Sequence, residues 1–176
     1  TWSPDGNQLA FSMKVNAKPP VIAKMPDKPK GAKWAKSPRI TDRLKHEQDG
    51  AGYIKPGFNQ LFVIPSDGGA PRQLTHGNFN HRGAMSWSPN GEEIFFSGNL
   101  NEDWEYDFRN SEVYSVNVNT LQLKTYTSQN GPDTLPAVSP NGLYISYLGY
   151  FDKVQTYQVS QLNIMDRNNL LYLHQV

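Results

Sequence analysis

Residues 2–12 read Trp-Ser-Pro-Asp-Gly-Asn-Gln-Leu-Ala-Phe-Ser, and the pattern returns twice. Residues 87–97 read Trp-Ser-Pro-Asn-Gly-Glu-Glu-Ile-Phe-Phe-Ser, and residues 138–147 read Val-Ser-Pro-Asn-Gly-Leu-Tyr-Ile-Ser-Tyr. Pro sets φ at the second position of a turn, Asp or Asn tolerates the third, and Gly takes the left-handed position that follows. The alternating apolar residues after each turn predict a strand. Three such copies in one chain predict a repeat architecture.

A second hairpin follows each copy, over residues 60–75, 111–127 and 157–173. Four strands per unit in meander order, with units about 45 to 50 residues apart, are typical of a β-propeller. The second and third copies are 51 residues apart, but the first and second are 85 apart, so the first unit contains an insertion. We therefore predict an all-β fold: a partial β-propeller of about three four-stranded antiparallel blades, with a long insertion in the first.

The predicted blades form a single partial propeller domain over residues 1–176. They cover residues 1–77, 82–130 and 134–176, and the insertion covers about residues 14–58. Three blades cannot close a ring of ordinary geometry. Each end blade would leave a broad apolar face uncovered, and such faces associate. We expect a fragment of a longer ring, cut at both ends, or a chain that self-associates through its open blade faces.

The composition excludes several kinds of site. The chain has 176 residues, no Cys and a net charge of +1, with 37% apolar and 19% charged residues. Without Cys there is no disulfide framework, thiolate metal site or cysteine nucleophile. The longest apolar run, residues 61–64, is too short to cross a membrane, so we expect no membrane partner. The localisation stays unknown, with cytoplasmic and periplasmic or secreted locations both open.

The insertion is basic. Residues 14–45 contain ten Lys or Arg against two Asp. Binding of nucleic acid by this segment is a weak alternative, because its one aromatic residue, Trp34, and its Lys residues spaced by Pro indicate a solvated arm. We expect no nucleic-acid partner. Residues 38–53 can form a hairpin that reaches beyond the blade.

Three polar clusters are candidate sites. His46, Glu47 and Asp49 lack metal-ligand spacing, so we interpret them as solvated loop residues and predict neither a metal nor another cofactor. His76 and His81 flank the link between two blades, where hydrogen bonds to the turn backbone are favoured over catalysis.

The third cluster is the acidic stretch of residues 102–107, in which Trp104 and Tyr106 are interleaved with four acidic residues. We interpret it as a solvated hairpin whose aromatic side chains pack between blades. The alternative is a rim that binds the amino terminus of a substrate or a cation.

The repeat, with its hairpin Gly68-Gly69-Ala70-Pro71-Arg72-Gln73-Leu74-Thr75, resembles the WD40-like repeat of TolB-type propellers. Residues 38–53 and the stretch Asp103-Trp104-Glu105-Tyr106-Asp107 make the resemblance more specific than the repeat alone does. Together they resemble the N-terminal propeller of acylaminoacyl-peptidases and dipeptidyl aminopeptidases of the prolyl oligopeptidase (S9) family. That resemblance implies a C-terminal α/β-hydrolase domain as partner, shielded by the propeller, and short peptides as substrates.

The family's chemistry needs a Gly-x-Ser-x-Gly elbow with Asp and His partners, and the chain has no such motif. We therefore predict no catalytic residue here: the parent is a serine peptidase, and this chain alone is not catalytic. Arg39 and Arg43 are candidates for substrate contact, because a guanidinium group can clamp a peptide carboxylate or carbonyl. Surface ion pairs are the alternative for both. The alternative function is a stand-alone TolB-like propeller module for protein–protein binding.

Overall fold

The computed structural model describes residues 1–18, 20–24, 26–35, 38–170 and 172–175. Within these ranges the chain forms strands and no α-helix. The strands are β1 (Gln8–Asn16), β2 (Glu47–Gln48), β3 (Gly52–Tyr53), β4 (Gly57–Pro65), β5 (Arg72–Gln73), β6 (His81–Trp87), β7 (Glu93–Gly98), β8 (Glu112–Asn117), β9 (Leu123–Thr125), β10 (Asp133–Val138), β11 (Tyr144–Gly149), β12 (Gln161–Asp166) and β13 (Tyr172–Gln175). Nothing helical in the described ranges is long and apolar enough to cross a membrane.

The strands form three antiparallel meanders. Sheet 1 has the order β1-β4-β5, sheet 2 the order β6-β7-β8-β9, and sheet 3 the order β10-β11-β12-β13. The hairpin β2–β3 lies within the long connection of sheet 1, residues 17–56, as the sequence of residues 38–53 suggests. This architecture confirms the all-β partial propeller.

Sheet 1 differs from the predicted four-stranded blade because it has three strands. Only Thr1 and Trp2 stand where sheets 2 and 3 have their first strand. Trp2 forms an isolated bridge with Leu9, and the Thr1 amino group donates to the carbonyl oxygen of Ala10 at 2.7 Å.

The three Ser-Pro-Asx-Gly segments form the same turn. In each, the serine Oγ donates to the Asx side chain and accepts the backbone N–H five residues after the serine. The glycine has a φ of 71° to 73°, in the left-handed region that the sequence predicts. The serine–Asx pairs are Ser3–Asp5, Ser88–Asn90 and Ser139–Asn141, and the glycines are Gly6, Gly91 and Gly142.

Two apolar layers hold the sheets together. Successive side chains of a strand point to opposite faces, so in sheet 2 Phe96 packs towards sheet 1 while Phe95 packs towards sheet 3. The first layer contains Ala10, Leu61, Val63 and Leu74 of sheet 1 with Trp87, Ile94, Phe96, Tyr114 and Val116 of sheet 2. The second contains Phe95, Val113 and Tyr126 of sheet 2 with Ile145, Tyr147 and Met165 of sheet 3.

All three long connections lie at the same end of the strands in their sheets. Residues 17–56, 99–111 and 150–160 each join the strand after a Ser-Pro-Asx-Gly turn to the next strand of the same sheet. The turns therefore lie at one end of the stacked sheets and the long connections at the other. Any site built from these connections lies at that second end.

Candidate functional site

A cleft of about 700 Å³ lies at the end that carries the long connections. Strand ends and links of sheets 2 and 3 form its floor, and the connections of sheets 1 and 2 form its two walls. The floor residues are Asn80, Ser97, Gly98, Ser111, Pro132 and Thr134. One wall is formed by Leu44, Lys45 and Glu47, and the other by Asn99, Trp104, Glu105, Phe108, Arg109 and Asn110.

A stack of side chains joins the two walls. The guanidinium carbon of Arg43 lies 4.1 Å from the ring centre of Phe58, and Arg43 Nη1 donates to the carbonyl oxygen of Gly57 at 3.3 Å. Phe58 is buried and meets Trp104 edge-on, with ring centres 6.1 Å apart. The contact between the Arg43 cation and the Phe58 ring, and the edge-to-face pair of Phe58 and Trp104, both stabilise this arrangement. The stack thus connects residue 43, which precedes one wall, to Trp104 of the other wall.

Glu105 lies where the walls meet. The backbone N–H of Leu44 makes a long contact of 3.5 Å to Glu105 Oε2. Glu105 Oε1 is buried and has no hydrogen-bond partner among the described residues. A buried acceptor without a donor is costly, so this oxygen favours a ligand that donates a hydrogen bond.

Neither of the two arginines predicted to contact substrate lines the cleft. The Arg39 guanidinium carbon lies 3.6 Å from the ring centre of Tyr53 on the β2–β3 hairpin, and Arg39 is exposed. Arg43 holds Gly57 and Phe58, and the next residues, Leu44 and Lys45, are the ones that line the cleft. Their contact with substrate stays a prediction.

The histidines of the predicted clusters differ in their exposure and in their contacts. His46, Glu47 and Asp49 are exposed, and in the described ranges no three His, Asp or Glu side chains are placed to hold a metal ion. His76 bonds to the Gln73 side chain at 3.2 Å. The predicted turn role of His81 is wrong: it begins β6, is 1% exposed and packs edge-on against Phe96, with ring centres 4.8 Å apart.

The acidic stretch of residues 102–107 forms a run of turns and not a hairpin of strands. Trp104 packs against Phe58 of sheet 1, which confirms half of the predicted aromatic packing. Tyr106 is 78% exposed, so the other half is wrong. The difference arises because successive residues in a run of turns do not alternate between two faces as they do in a strand.

A polar latch, which is a pair of hydrogen-bonded side chains not predicted from the sequence, joins β4 of sheet 1 to the residues that follow the outer strand β5. Gln60 and Thr75 are both buried. Thr75 Oγ1 donates to Gln60 Oε1 at 2.8 Å and accepts the N–H of Leu61 at 2.9 Å. Gln60 Nε2 donates to the link carbonyls of Gly77 and Phe79.

Sheet 2 repeats this latch with a carboxyl group in place of the amide. Thr127 Oγ1 donates to Glu112 Oε2 at 2.6 Å and accepts the N–H of Val113 at 2.9 Å. Both latches join residues 15 positions apart, and the signal in the sequence is a Gln or Glu in the strand that follows the long connection and a Thr just after the outer strand. Glu112 begins its strand immediately after Ser111 of the cleft floor.

Asp133 lies next to this second latch and is fully buried. Its carboxyl oxygens accept from Gln129 Nε2 at 3.2 and 3.4 Å. Burial raises the pKa of Asp133 to about 6. Burial, together with the neighbouring charges of Asp133 and Asp107, raises the pKa of Glu112 to about 7.

Comparisons with known proteins agree with this geometry. The family model "Dipeptidyl peptidase IV (DPP IV) N-terminal region" matches residues 29–151. The uncharacterized peptidase YuxL of Bacillus subtilis (strain 168) is 27% identical over 101 residues, which cover 57% of this chain and 15% of YuxL.

Two solved structures are similar over nearly the whole chain. A putative TolB from Agrobacterium tumefaciens superposes with a TM-score of 0.58 at 18% identity, covering 99% of this chain and 48% of that one. TolB from Acinetobacter baumannii gives a TM-score of 0.56 at 12% identity, covering 97% of this chain and 30% of that one. These similarities show the propeller fold, and the chain spans less than half the length of each protein compared.

The family match spans both walls of the cleft, residues 44–47 and 99–110. It also spans the two stretches that resemble the N-terminal propeller of prolyl oligopeptidase family peptidases, and it confirms that resemblance. This chain belongs to the dipeptidyl peptidase IV N-terminal region family.

Proposed function

We propose that this chain is the non-catalytic propeller part of a serine peptidase and that it gates the access of peptides to a hydrolase domain in the same protein. The observation that carries the proposal is the position of the cleft walls, which both lie inside the family match. YuxL, which is named a peptidase, extends far beyond the matched region, so its length accommodates a separate catalytic domain.

The chemistry of the cleft suits a short peptide. Its walls carry both signs of charge, with Lys45 and Arg109 against Glu47 and Glu105. A zwitterionic peptide offers an ammonium group and a carboxylate, and the unpartnered Glu105 Oε1 can accept from the former. The amides and hydroxyls of the cleft can bond a peptide backbone.

The size of the cleft favours steric selection. Its volume of about 700 Å³ lies within the range of small-ligand pockets, so an extended peptide of a few residues fits and a folded chain does not. Because Arg43, Phe58 and Trp104 join the walls, the opening has a defined width. Gating then depends on this stack.

The test uses the full-length parent enzyme and compares Trp104→Ala with the unchanged protein. Removing the indole opens the space beside Phe58, so we expect the ratio of kcat/KM for long peptides to kcat/KM for short peptides to rise several-fold. Phe151→Ala is the control, because Phe151 is an exposed aromatic residue on the third connection and does not line the cleft. An unchanged ratio in Trp104→Ala would contradict gating.

The purified chain alone should not hydrolyse aminoacyl or acyl-peptide chromogenic substrates, because it has no Gly-x-Ser-x-Gly elbow. Turnover that a serine-directed inhibitor abolishes would overturn the non-catalytic assignment. The alternative function, a TolB-like module for protein–protein binding, predicts a parent sequence without that motif. The parent sequence therefore separates the two functions before any assay.

Substrate contact by Arg39 and Arg43 is tested in the same parent enzyme. Arg39→Ala should lower kcat/KM for short peptides if the guanidinium reaches the bound peptide. Arg43→Ala also frees Phe58, so its comparison with Arg43→Lys, which keeps a cation over the ring, separates substrate contact from wall position. Unchanged kcat/KM in both alanine variants would reject the contact.

A further inference from the structure

The cleft is lined by two asparagine side chains whose orientation is fixed by main-chain donors. Asn80 Oδ1 accepts the N–H of Asn59 at 2.9 Å, and Asn110 Oδ1 accepts the N–H of Gly131 at 3.3 Å. A main-chain N–H donates and does not accept, so the oxygen of each amide must face it. In each amide Nδ2 is therefore the group that can face the cleft.

The Nδ2 groups are not used inside the described part of the fold. Neither donates to another described residue, and neither is a buried atom without a partner, so both reach the open cleft. Other side chains of the cleft use their hydrogens internally. Asn99 Nδ2 donates to the carbonyl oxygen of Asp107 at 2.7 Å, and Thr134 Oγ1 donates to that of Leu148 at 3.1 Å. The two amides are thus donors that a ligand in the cleft can use.

The repeat shows that the fold does not need an amide at residue 110. Gln60 and Glu112 hold equivalent latch positions in sheets 1 and 2. Two residues before them, the chain has Phe58 in sheet 1 and Asn110 in sheet 2. The same place in the fold thus accepts a phenylalanine.

The link before a first strand also forms without an amide. Strands β6 and β10 both begin opposite a glycine of the next strand, so Asn80 and Pro132, which precede them, are equivalent. At the junction that contains Pro132, the N–H of Ser111 donates to the main-chain carbonyl oxygen of Gly131 at 3.3 Å. The amide of Asn80 is therefore a property of the cleft and not a requirement of the repeat.

We propose, on the basis of the proposed function, that Asn80 and Asn110 donate hydrogen bonds from Nδ2 to main-chain carbonyl oxygens of a bound peptide and hold it extended across the end of sheet 2. Neutral amide donors suit neutral carbonyl oxygens, whereas a carboxylate is bound more strongly by cations such as Lys45 and Arg109 of the same cleft. Every peptide carries main-chain carbonyl groups. The pair therefore selects peptides by length rather than by sequence.

The register of sheet 2 gives the span between the two amides. His81 pairs with Gly98, and Gly98 pairs with Glu112, so these three residues lie in one row across the sheet. Neighbouring strands are about 4.8 Å apart, which places His81 about 10 Å from Glu112. Asn80 and Asn110 lie just beyond this row, on the side of the cleft. An extended chain rises about 3.3 Å per residue, so a peptide of about four residues reaches both amides and a dipeptide reaches one.

The first experiment measures peptide binding to the 176-residue chain by NMR of the asparagine side-chain amides, with tetra-alanine as the probe. We expect the Nδ2 signals of Asn80 and Asn110 to shift until the chain is saturated, because a donated hydrogen bond changes the shielding of the hydrogen. The control is the signal of Asn119, which is exposed in the turn between β8 and β9 at the opposite end of sheet 2 and should not move. Signals of Asn80 and Asn110 that stay in place would overturn the proposal.

Di-alanine tests the span in the same experiment. It can bond to one amide at a time, so we expect its Kd to be about tenfold or more above that of tetra-alanine. Equal Kd values would contradict binding across both amides. The measurement involves no hydrolysis, so its outcome does not depend on the reaction that the parent performs.

The second experiment uses the full-length parent enzyme and the variants Asn80→Asp and Asn110→Asp. The carboxylate keeps an oxygen for the N–H of Asn59 or Gly131 and has no hydrogen to donate. In each variant kcat/KM for a tetrapeptide should fall about tenfold, mainly through KM, because a binding contact is lost. Asn119→Asp adds the same charge at the opposite end of the sheet and should leave kcat/KM unchanged.

Thioamide peptides separate a lost hydrogen bond from an added charge or a structural defect. Sulfur is a poorer acceptor than oxygen, so replacing the bonded carbonyl oxygen should lower kcat/KM in the unchanged enzyme and have little further effect in the matching aspartate variant. A thioamide effect that is the same in enzyme and variants at every position outside the scissile bond would overturn the proposal. A parent that hydrolyses no peptide would contradict the proposed function, and the NMR measurement would still decide whether the two amides bind a peptide.

Discussion

Gly149 is a residue at which a single methyl group should decide stability. It lies opposite Asp133 in sheet 3, and a Cβ here would stand 2.7 Å from the Pro132 carbonyl oxygen and closer still to the Asp133 carboxyl. We expect Gly149→Ala to destabilise the chain by about 1–3 kcal/mol, the usual cost of overpacking. The shift of the urea unfolding midpoint measures it.

Gly98 provides the matched control because it has the same place in sheet 2, opposite His81. A Cβ there would first meet the end of the Leu100 side chain at 3.0 Å, which can rotate away. Gly98→Ala should therefore cost less than Gly149→Ala. Equal losses would show that Asp133 moves aside without cost.

His81 should make the chain sensitive to acid. Burial lowers its pKa from 6.5 to about 4, and neither ring nitrogen has a partner among the described residues. The unfolded chain binds the proton more tightly, so stability is present above pH 6.5 and is lost as pH falls towards 4. The loss is at most about 3 kcal/mol, since one pKa unit corresponds to about 1.4 kcal/mol.

The measurement compares His81→Leu with the unchanged chain in urea unfolding at several pH values. Leucine keeps an apolar side chain against Phe96 and does not titrate. The unfolding free energy of His81→Leu, relative to that of the unchanged chain, should therefore rise as pH falls below 6.5. A difference that does not change with pH would mean that folding does not lower the pKa of His81.

At the scale of the element, the Ser-Pro-Asx-Gly turns should owe part of their stability to one hydroxyl. Ser88 Oγ donates to Asn90 at 2.6 Å and accepts from the Glu93 N–H at 2.9 Å, and Ser88 is fully buried. Ser88→Ala leaves that N–H without its partner, so we expect a loss of about 1–3 kcal/mol in unfolding free energy by chemical denaturation.

Ser139→Ala is the control, because Ser139 makes the same bonds at 2.7 and 2.9 Å in a more exposed turn. Water can replace the hydroxyl there, so the loss should be smaller. If Ser88→Ala and Ser139→Ala lose the same unfolding free energy, the burial of the serine hydroxyl does not determine how much it stabilises the turn.

These turns are the part of the fold that the sequence predicts best, because each depends on four adjacent residues and on the φ that only Gly takes freely. The cleft depends instead on the meeting of residues 44–47 with residues 99–110, which no local pattern encodes. The latches were missed for a different reason. In the sequence Gln60 and Glu112 look like ordinary polar residues of a strand, and only the structure shows that each bonds to the threonine 15 positions later.

At the scale of the whole molecule, the repeat shows which sheet faces have no neighbour. Leu61, Val113 and Leu162 hold equivalent places in sheets 1, 2 and 3. Leu61 and Val113 are buried against the following sheet, whereas Leu162 is 40% exposed. On the opposite side, Trp87 is buried against sheet 1, and its equivalent Trp2 is 58% exposed.

The two open faces are thus the two halves of an ordinary junction between sheets. Head-to-tail association of two copies would bring the Leu162 face of one against the Trp2 face of the other, and the contact can occur twice in a closed pair. We expect the isolated chain to associate in this way. Sedimentation equilibrium measures the association.

Trp2→Glu and Leu162→Glu should each weaken that association about tenfold or more, because each places a charge in a face that must lose its water. Val21→Glu is the control, since Val21 is 82% exposed on the long connection and belongs to neither face. A pair formed by either variant with itself carries a damaged face at both junctions. An equal mixture of the two variants restores one junction with two intact faces, so the mixture should associate more tightly than either variant alone. A mixture no tighter than its components would show that these faces do not meet.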